Sequence, residues 1–238
     1  MIAPLTSQKR PSGAGDASTR VLEKKLTDGL TALGLTLAPD QQQKLVRYVL
    51  LMQKWNRVYN LTAIREPERM LSHHLLDSLA IIPSVMVQMP HDGTPLRVLD
   101  VGSGAGLPGI PLAIACPDID ITMLDSNQKK TAFIQQSVSE LQLMNASVEC
   151  QRVEQWQAPQ RFNVILSRAF AELSDFVQLA KHLLTPGGRF IAMKGQYPGD
   201  EITRLPAQFR VDNVVKLAVP GLDAERHLVF IAPEGGTA

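Results

Sequence analysis

Cysteine is scarce in this chain, and its scarcity excludes two kinds of protein. Only Cys116 and Cys150 occur among 238 residues, too few for a disulfide framework and without the spacing of a metal site. The five histidines include the pair His73 and His74 but form no HExxH-type zinc motif. The sequence therefore predicts a protein of a reducing, cytoplasmic compartment with no bound metal.

An excess of one charge and long apolar runs are also missing. Lys and Arg number 24 against 23 Asp and Glu, a formal net charge of +1, so a nucleic-acid partner would need a local basic patch. No stretch approaches the roughly 20 apolar residues of a membrane helix, and the first residues lack the apolar run of a signal peptide. The hydrophobic content of 45% is ordinary for a globular protein with a sizeable core.

The first third of the chain carries helical patterns and no strand pattern. Residues 1–17, rich in Pro, Ser and Gly, predict a disordered tail. Apolar residues at helical spacing predict helices over 18–33, 39–59 and about 70–82. The sequence thus predicts a helical N-terminal extension over residues 18–92.

Short apolar runs alternate with helical stretches from Leu96 onwards. The runs are RVLDV, ITMLD, SVECQRV, NVILS and RFIAMKG, followed by VVKLAV and RHLVFIA without a helix between them. The alternation predicts βαβ units and a parallel sheet, and the last two runs predict an antiparallel pair at its end. Residues 93–238 are therefore predicted to form a doubly wound α/β domain with a mostly parallel seven-stranded sheet.

Three glycines, Gly102, Gly104 and Gly106, alternate directly after the first strand. Glycine permits positive φ and close approach of the backbone to a ligand, so the loop before the next helix predicts a seat for a nucleotide-like cofactor. A plain strand-to-helix turn is the alternative. Leu107 breaks the dinucleotide fingerprint counted from Gly102; counted from Gly104, it matches and ends on Gly109, which is weak support.

Carboxylates close the first two strands. Asp100 precedes the glycines, where an acid suits a cationic amino-acid ligand and would repel a pyrophosphate. Asp125 ends the second strand, where an acid can accept hydrogen bonds from both ribose hydroxyls, although it could also cap the next helix. Together the two acids favour S-adenosylmethionine as the cofactor, with an NAD-dependent oxidoreductase as an alternative.

No nucleophile or general base is placed for chemistry. Methylation of a pyrimidine carbon needs a cysteine, but Cys116 closes a helix and Cys150 is predicted within a strand. The slot after the fourth strand, which carries D/N-P-P-Y/F in many amine methyltransferases, holds SRAF at 167–170. Because methyl displacement mainly needs positioning, a ring nitrogen that needs no deprotonation is a permitted acceptor.

Basic residues collect at the carboxyl ends of the predicted strands, although the whole chain is nearly neutral. They are Lys129, Lys130, Arg152, Arg168, Lys194, Arg226 and His227. Such a rim suits a phosphate-bearing acceptor, although solvated Lys and Arg occur on any rim. The alternatives are a small-molecule methyltransferase and a non-catalytic nucleotide-sensing or RNA-binding module.

Several segments, in the right order, together resemble the RsmG (GidB) methyltransferase family. They are KWNRVYNLTAI, HHLLDSL, DVGSGAGLPGIPLAI, LDSNQKK, SRAFA, MKGQ and AERHL, which span most of residues 40–230. The family often has Gly where Ala224 stands, and the first 17 residues match nothing.

The resemblance implies a Rossmann-like class I methyltransferase domain with a helical extension. The implied donor is S-adenosylmethionine, which leaves as S-adenosylhomocysteine, and the implied acceptor is N7 of a guanine in the 530 loop of 16S ribosomal RNA (position 527 of that RNA). The expected partner is this RNA, within the small ribosomal subunit or its precursor, and the expected state is a monomer. Implied cofactor contacts are Gly102, Leu107, Val153, Glu154 and Arg168, with Gly104, Gly106 and Asp125 shaping the pocket.

The remaining predicted roles concern the acceptor. Arg168 is expected to position the reactants, and Lys130, Lys194 and Arg226 are expected to contact RNA. His74 and Asp77 lie three apart on one helix face, which favours packing of the extension onto the catalytic domain.

Overall fold

The structure, a computed structural model, describes residues 14–168, 170 and 172–235. The predicted tail therefore lies mostly outside the described residues. The first helix begins at Ala14, four residues before the predicted start. Within the described part, no helix has both the length and the apolar character that crossing a membrane requires.

The N-terminal part of the described chain is helical, as the apolar spacing predicts. Its elements are α1 (Ala14–Ala32), α2 (Pro39–Tyr59), α3 (Pro67–Met70), a π-helical turn (Leu71–Leu76), α4 (Asp77–Leu79) and α5 (Ile82–Met86). Helix α2 has its predicted bounds because Pro39 suits a first turn and Asn60 ends the helix in the left-handed region, at φ 49°.

A seven-stranded sheet with flanking helices follows. The strands are β1 (Leu96–Val101), β2 (Ile119–Leu124), β3 (Ala146–Glu149), β4 (Phe162–Ser167), β5 (Leu184–Lys194), β6 (Phe209–Leu217) and β7 (Arg226–Pro233). The helices are α6 (Gly109–Ala115), α7 (Gln128–Leu141), α8 (Leu173–Ala180), a 3₁₀ turn (Lys181–Leu183) and α9 (Gly199–Thr203).

The strand order is β3-β2-β1-β4-β5-β7-β6. Strands β1 to β5 pair in parallel, whereas β7 is antiparallel to both β5 and β6. This confirms the predicted mostly parallel sheet with an antiparallel terminal pair. Strand order reverses between β1 and β4, and a crevice opens at the carboxyl ends of such strands.

Strand β3 is shorter than predicted, which corrects the placement of one cysteine. The chain forms a turn at residues 152–156, where the N–H groups of Gln155 and Trp156 donate to the carbonyl of Arg152. Cys150 consequently lies one residue beyond β3 and is exposed. Cys116 follows α6 as predicted, and burial raises the pKa of its thiol to about 11, so the reactive thiolate is disfavoured there.

The helical extension shares its hydrophobic core with one face of the sheet. Leu22, Leu26 and Leu45 belong to the same buried cluster as Val98 and Ile121 of β1 and β2. Burial of such side chains stabilises by roughly 1.5–3 kcal/mol each. The extension is therefore packed firmly behind the crevice that holds the candidate site.

Candidate functional site

The loop after β1 depends on its glycines for conformation. Gly102, Gly104 and Gly106 have φ values of 71°, 60° and 81°, in the region that other residues rarely adopt. A Cβ on Gly106 would also lie 2.7 Å from Cδ1 of Ile110. The three glycines thus adopt the positive φ that their residue type permits, and the role of the loop as a seat for a cofactor stays a prediction.

Tyr48 of α2 supports this loop from the extension. Its buried hydroxyl donates to the carbonyl oxygen of Ala105 at 2.6 Å, and its ring stacks on Phe133 of α7. A buried tyrosine hydroxyl needs such a partner. The sequence pattern identified Tyr48 only as part of a helix, because its partner lies 57 residues away.

Asp125 connects the ends of β1 and β2. Its Oδ2 accepts from the N–H of Gly104 at 2.9 Å, and its Oδ1 accepts from the N–H of Asn127 at 2.8 Å. Asn127, and not Asp125, is the N-cap of α7. Asp125 therefore does not cap this helix itself but binds the residue that does. A carboxylate offers about four lone-pair sites, so both oxygens can still accept further hydrogen bonds.

A cleft of about 340 Å³ lies beside this carboxylate. It brings together the predicted cofactor residues Gly102, Asp125, Val153 and Glu154, and also Lys130, which was predicted to contact RNA. Its apolar part consists of Val101, Leu124, Val153, Phe170 and Leu179. Apolar walls for a flat base and carboxylates for hydroxyls suit a nucleoside, so these residues fit S-adenosylmethionine.

Four other residues with predicted cofactor roles do not line this cleft. Gly104 and Gly106 shape the turn, and the side chain of Leu107 is buried in the core. Arg168 lies in a neighbouring pocket. Their roles in cofactor binding stay predictions.

Asp100 is fully buried at the end of β1. Its Oδ2 accepts from the N–H of Gly109 at 2.9 Å, whereas its Oδ1 is buried without a hydrogen-bond partner among the described residues. A Cβ on Gly109 would lie 2.5 Å from Cγ of Met123, so glycine permits this close packing. Asp100 does not line the cleft beside Asp125, so its predicted attraction for a cationic ligand stays a prediction.

Burial of Asp100 predicts a pH-dependent stability. Desolvation raises its pKa to about 7, above the usual value of about 4, so folding takes up a proton. The stabilising effect is complete below about pH 4 and is lost as the pH rises through 7. We expect Asp100→Asn to remove this dependence, so that wild type loses about 3 kcal/mol relative to the variant between pH 5 and pH 9.

Urea unfolding of the ligand-free proteins at several pH values measures this difference. Asp92→Asn is the control, since that carboxyl is exposed and accepts hydrogen bonds from Thr94. Parallel stability curves for wild type and Asp100→Asn would contradict the prediction.

A second pocket, of about 350 Å³, brings together the three predicted basic residues Arg168, Lys194 and Arg226. Asp77 of the extension lies between the two arginines. Its Oδ1 accepts from Nε of Arg226 at 2.8 Å, and its Oδ2 lies 3.5 Å from Nη1 of Arg168. Asp77 therefore joins the extension to the α/β domain, in agreement with the packing role predicted for it.

Lys194 binds Phe170, which follows β4, and Glu201 of α9. Its Nζ donates to Oε2 of Glu201 at 2.7 Å and to the carbonyl of Phe170 at 3.2 Å, and its side chain is only 12% exposed. Glu201 also accepts from the N–H of Leu173, at the start of α8. No sequence motif indicates Glu201, and the role of Lys194 in binding RNA stays a prediction.

His74 lines the same pocket as a neutral side chain. Its Nδ1 lies 3.1 Å from the carbonyl of His73, which can only accept, so Nε2 accepts from the hydroxyl of Thr62 at 2.7 Å. Burial and the charge of Arg168 lower the pKa of His74 to about 4. The imidazole thus adds no positive charge beside the arginines.

The described residues bring no three His, Cys, Asp or Glu side chains together as possible metal ligands. The charged and polar groups that line the two pockets include carboxylates, guanidinium groups, ammonium groups and imidazoles. These groups can bind and orient ligands.

Solved structures share the fold. The chain aligns with N-methyltransferase NodS from Bradyrhizobium japonicum in complex with S-adenosyl-L-homocysteine, at TM-score 0.52 and 15% identity over 77% of this chain and 98% of that one. TrmN from Thermus thermophilus aligns at TM-score 0.51 and 18% identity over 68% and 53% of the two chains. The predicted Rossmann-like methyltransferase fold is thereby confirmed.

Curated sequences are far more similar. Ribosomal RNA small subunit methyltransferase G of Laribacter hongkongensis is 55% identical over 87% of this chain and 97% of that protein. The protein with the same name from Ralstonia nicotianae is 56% identical over 88% and 94% of the two chains. The GidB family model, described as rRNA small subunit methyltransferase G, matches residues 41–229. This chain therefore belongs to the GidB family of rRNA small subunit methyltransferases.

Proposed function

We propose that this chain transfers a methyl group from S-adenosylmethionine to N7 of a guanine in the 530 loop of 16S ribosomal RNA. One observation carries the proposal: a cleft suited to a nucleoside adjoins a pocket with two arginines. Phe170 lines the cleft, and its carbonyl oxygen accepts a hydrogen bond from Lys194, which lines the pocket. The family named above supports the reaction and the class of acceptor. The guanine, its N7 atom and the loop rest on the resemblance of the sequence motifs.

The first cleft is where the cofactor would bind. The Asp125 carboxylate would accept from the ribose hydroxyls, the Gly102 backbone would pass close to the ligand, and Val153 with Glu154 would line the adenine. Asp100, whose pKa is about 7 in the ligand-free protein, would become more fully ionised if the cationic end of the cofactor binds nearby. When bound, the cofactor supplies a methyl group on a positively charged sulfur.

The second pocket provides positioning rather than proton transfer. Guanine N7 already carries a lone pair, so no base is needed to expose it. His74 is not available as a base, because Thr62 occupies the lone pair of its Nε2. Arg168 and Arg226 would donate to guanine O6 or to phosphate, the acceptors that arginine binds best.

The proposed partner is the small ribosomal subunit or its precursor in the cytoplasm, and the proposed state is a monomer. Lys130 in the first cleft and Arg226 in the second pocket would add contacts to phosphates, whose affinity falls with salt. Binding to the particle should therefore weaken as salt rises.

Labelled cofactor tests the function directly. We expect the protein to label one guanine of the 530 loop in small subunits that lack the modification, with N7 shown by strand cleavage specific for 7-methylguanine. Naked 16S RNA, assembled subunits and total tRNA are tested in parallel, and heat-denatured protein is the control. Label at another site would correct the acceptor, whereas cofactor binding without transfer to any RNA would indicate a non-catalytic module.

A further inference from the structure

The carboxylate of Asp77 is placed unusually for a residue that only packs an extension onto a domain. Its side chain is 3% exposed, and its two oxygens face two different arginines. Arg168 directly follows β4, and Arg226 begins β7. One side chain of the extension therefore joins two separate strand ends of the catalytic domain at the pocket proposed for the acceptor.

The charges of this cluster require the carboxylate. Two guanidinium groups around one point repel each other, and the repulsion is strong where water is scarce. Asp77 compensates one of the two charges, and the neutral His74 adds none. The cluster keeps one surplus positive charge, which suits the acceptor edge or a phosphate of a single nucleotide.

Asp77 engages only part of each arginine. A guanidinium has five N–H donors in a fixed fork, and Asp77 contacts Nε of Arg226 and Nη1 of Arg168. The side chains of Arg168 and Arg226 keep 25% and 23% exposure in the pocket. Asp77 can therefore fix the orientation of both forks while other donors stay available to a ligand.

The local backbone is built around this position. A π-helical turn, Leu71–Leu76, directly precedes Asp77, and such wide turns are rare and frequent at functional sites. Within this region Ser78 donates to the carbonyl of His74 at 2.6 Å. A π-helical turn contains more residues than an α-helical turn. The side chain of Asp77 is therefore rotated about the helix axis relative to its position in a regular α-helix.

We propose that Asp77 is a positioning residue of the methyl-transfer site, which holds Arg168 and Arg226 in the orientation that receives the target nucleotide. The helical extension thus contributes a functional side chain to the methyl-transfer site. The proposal rests on the function proposed above and deepens it.

Asp77→Asn tests the proposal, since it keeps the size and one acceptor oxygen but removes the charge. We expect kcat on unmodified small subunits to fall on the order of 100-fold, the effect of a displaced positioning group. Affinity for S-adenosylmethionine, measured by calorimetry, should stay within about twofold, because Asp77 does not line the first cleft. Asp77→Glu restores the charge and should recover part of kcat.

Ser137→Ala is the matched control for a purely structural role. Ser137 is fully buried in α7, donates to the carbonyl of Phe133 and lines neither pocket. We expect this variant to lower the melting temperature and leave kcat unchanged. If Asp77→Asn retains wild-type kcat, or loses activity only in proportion to lost folded protein or lost cofactor affinity, the positioning role is wrong.

Wild type in the same assay separates this proposal from the proposed function. If wild type labels no guanine of the 530 loop, the function proposed for the chain fails. If wild type labels it and Asp77→Asn does so equally fast, only the role of Asp77 fails.

Discussion

Replacing Arg168 by alanine is expected to abolish measurable methyl transfer, a loss of about 1,000-fold, while the chain stays folded. Arg168 stands directly after β4 and contacts Asp77 in the second pocket. The fold should survive because Asp77 keeps its shorter hydrogen bond to Arg226. Transfer should not survive, since no other described arginine occupies the end of β4.

The charge of Arg168 also affects the ionisation of four buried groups around it. Burial raises the pKa of Tyr48, Asp77 and Asp100 and lowers that of His74, and the charge of Arg168 lowers the pKa of all four. These groups lie behind the glycine loop and around the second pocket. Loss of the guanidinium should therefore favour protonation of Asp100 and weaken the attraction of this region for anions and cations alike.

Single-turnover transfer to unmodified small subunits measures the effect of Arg168→Ala. Arg168→Lys keeps the charge without the bidentate fork, so it should recover only part of the rate. Arg47→Ala is the control, because Arg47 is exposed on α2 and pairs with Glu140 far from the two pockets. Full activity of Arg168→Ala, with circular dichroism unchanged, would refute the assigned role.

The fold could be predicted where a local pattern dictates the structure. The spacing of Leu22, Leu26 and Leu30 predicts α1, and all three are buried. The alternation of apolar runs predicts the βαβ units. The position of β7 between β5 and β6 is set by pairing across the sheet, and no local pattern carries that information.

The candidate site, like the fold, could be predicted only where a local pattern determines which residues meet. Gly102 and Asp125 could be predicted to meet because parallel strands bring their carboxyl ends to one edge. The pairing of Asp77 with Arg226 could not be predicted, since 149 residues separate them and neither local pattern indicates the other residue as its partner. Hydrogen bonds such as Lys194 to Glu201 likewise depend on tertiary packing, here the packing of α9 beside α8.

Asp125→Ala is expected to weaken binding of S-adenosylmethionine by about 100-fold, or about 3 kcal/mol. The variant loses the acceptors for the N–H groups of Gly104 and Asn127, and it also loses the proposed contact to the ribose. Asp125→Asn should not be neutral, because its amide nitrogen would face one of these two N–H donors. Calorimetry with S-adenosylmethionine and S-adenosylhomocysteine measures the loss, and Asp120→Ala, an exposed position earlier on β2, is the control.

The 2′-deoxy form of S-adenosylhomocysteine separates the two causes. If Asp125 binds the ribose, wild type should prefer the ribose form over the deoxy form by about tenfold, the effect of one lost charge-assisted hydrogen bond. Asp125→Ala should show almost no preference, since the carboxylate that reads the hydroxyl is gone. If Asp125 only braces the glycine loop, the variant should bind both forms more weakly by the same factor and keep the preference of wild type. Equal preference in the two proteins would therefore overturn the ribose contact, because a bracing carboxylate cannot distinguish ligands by a hydroxyl that it does not touch.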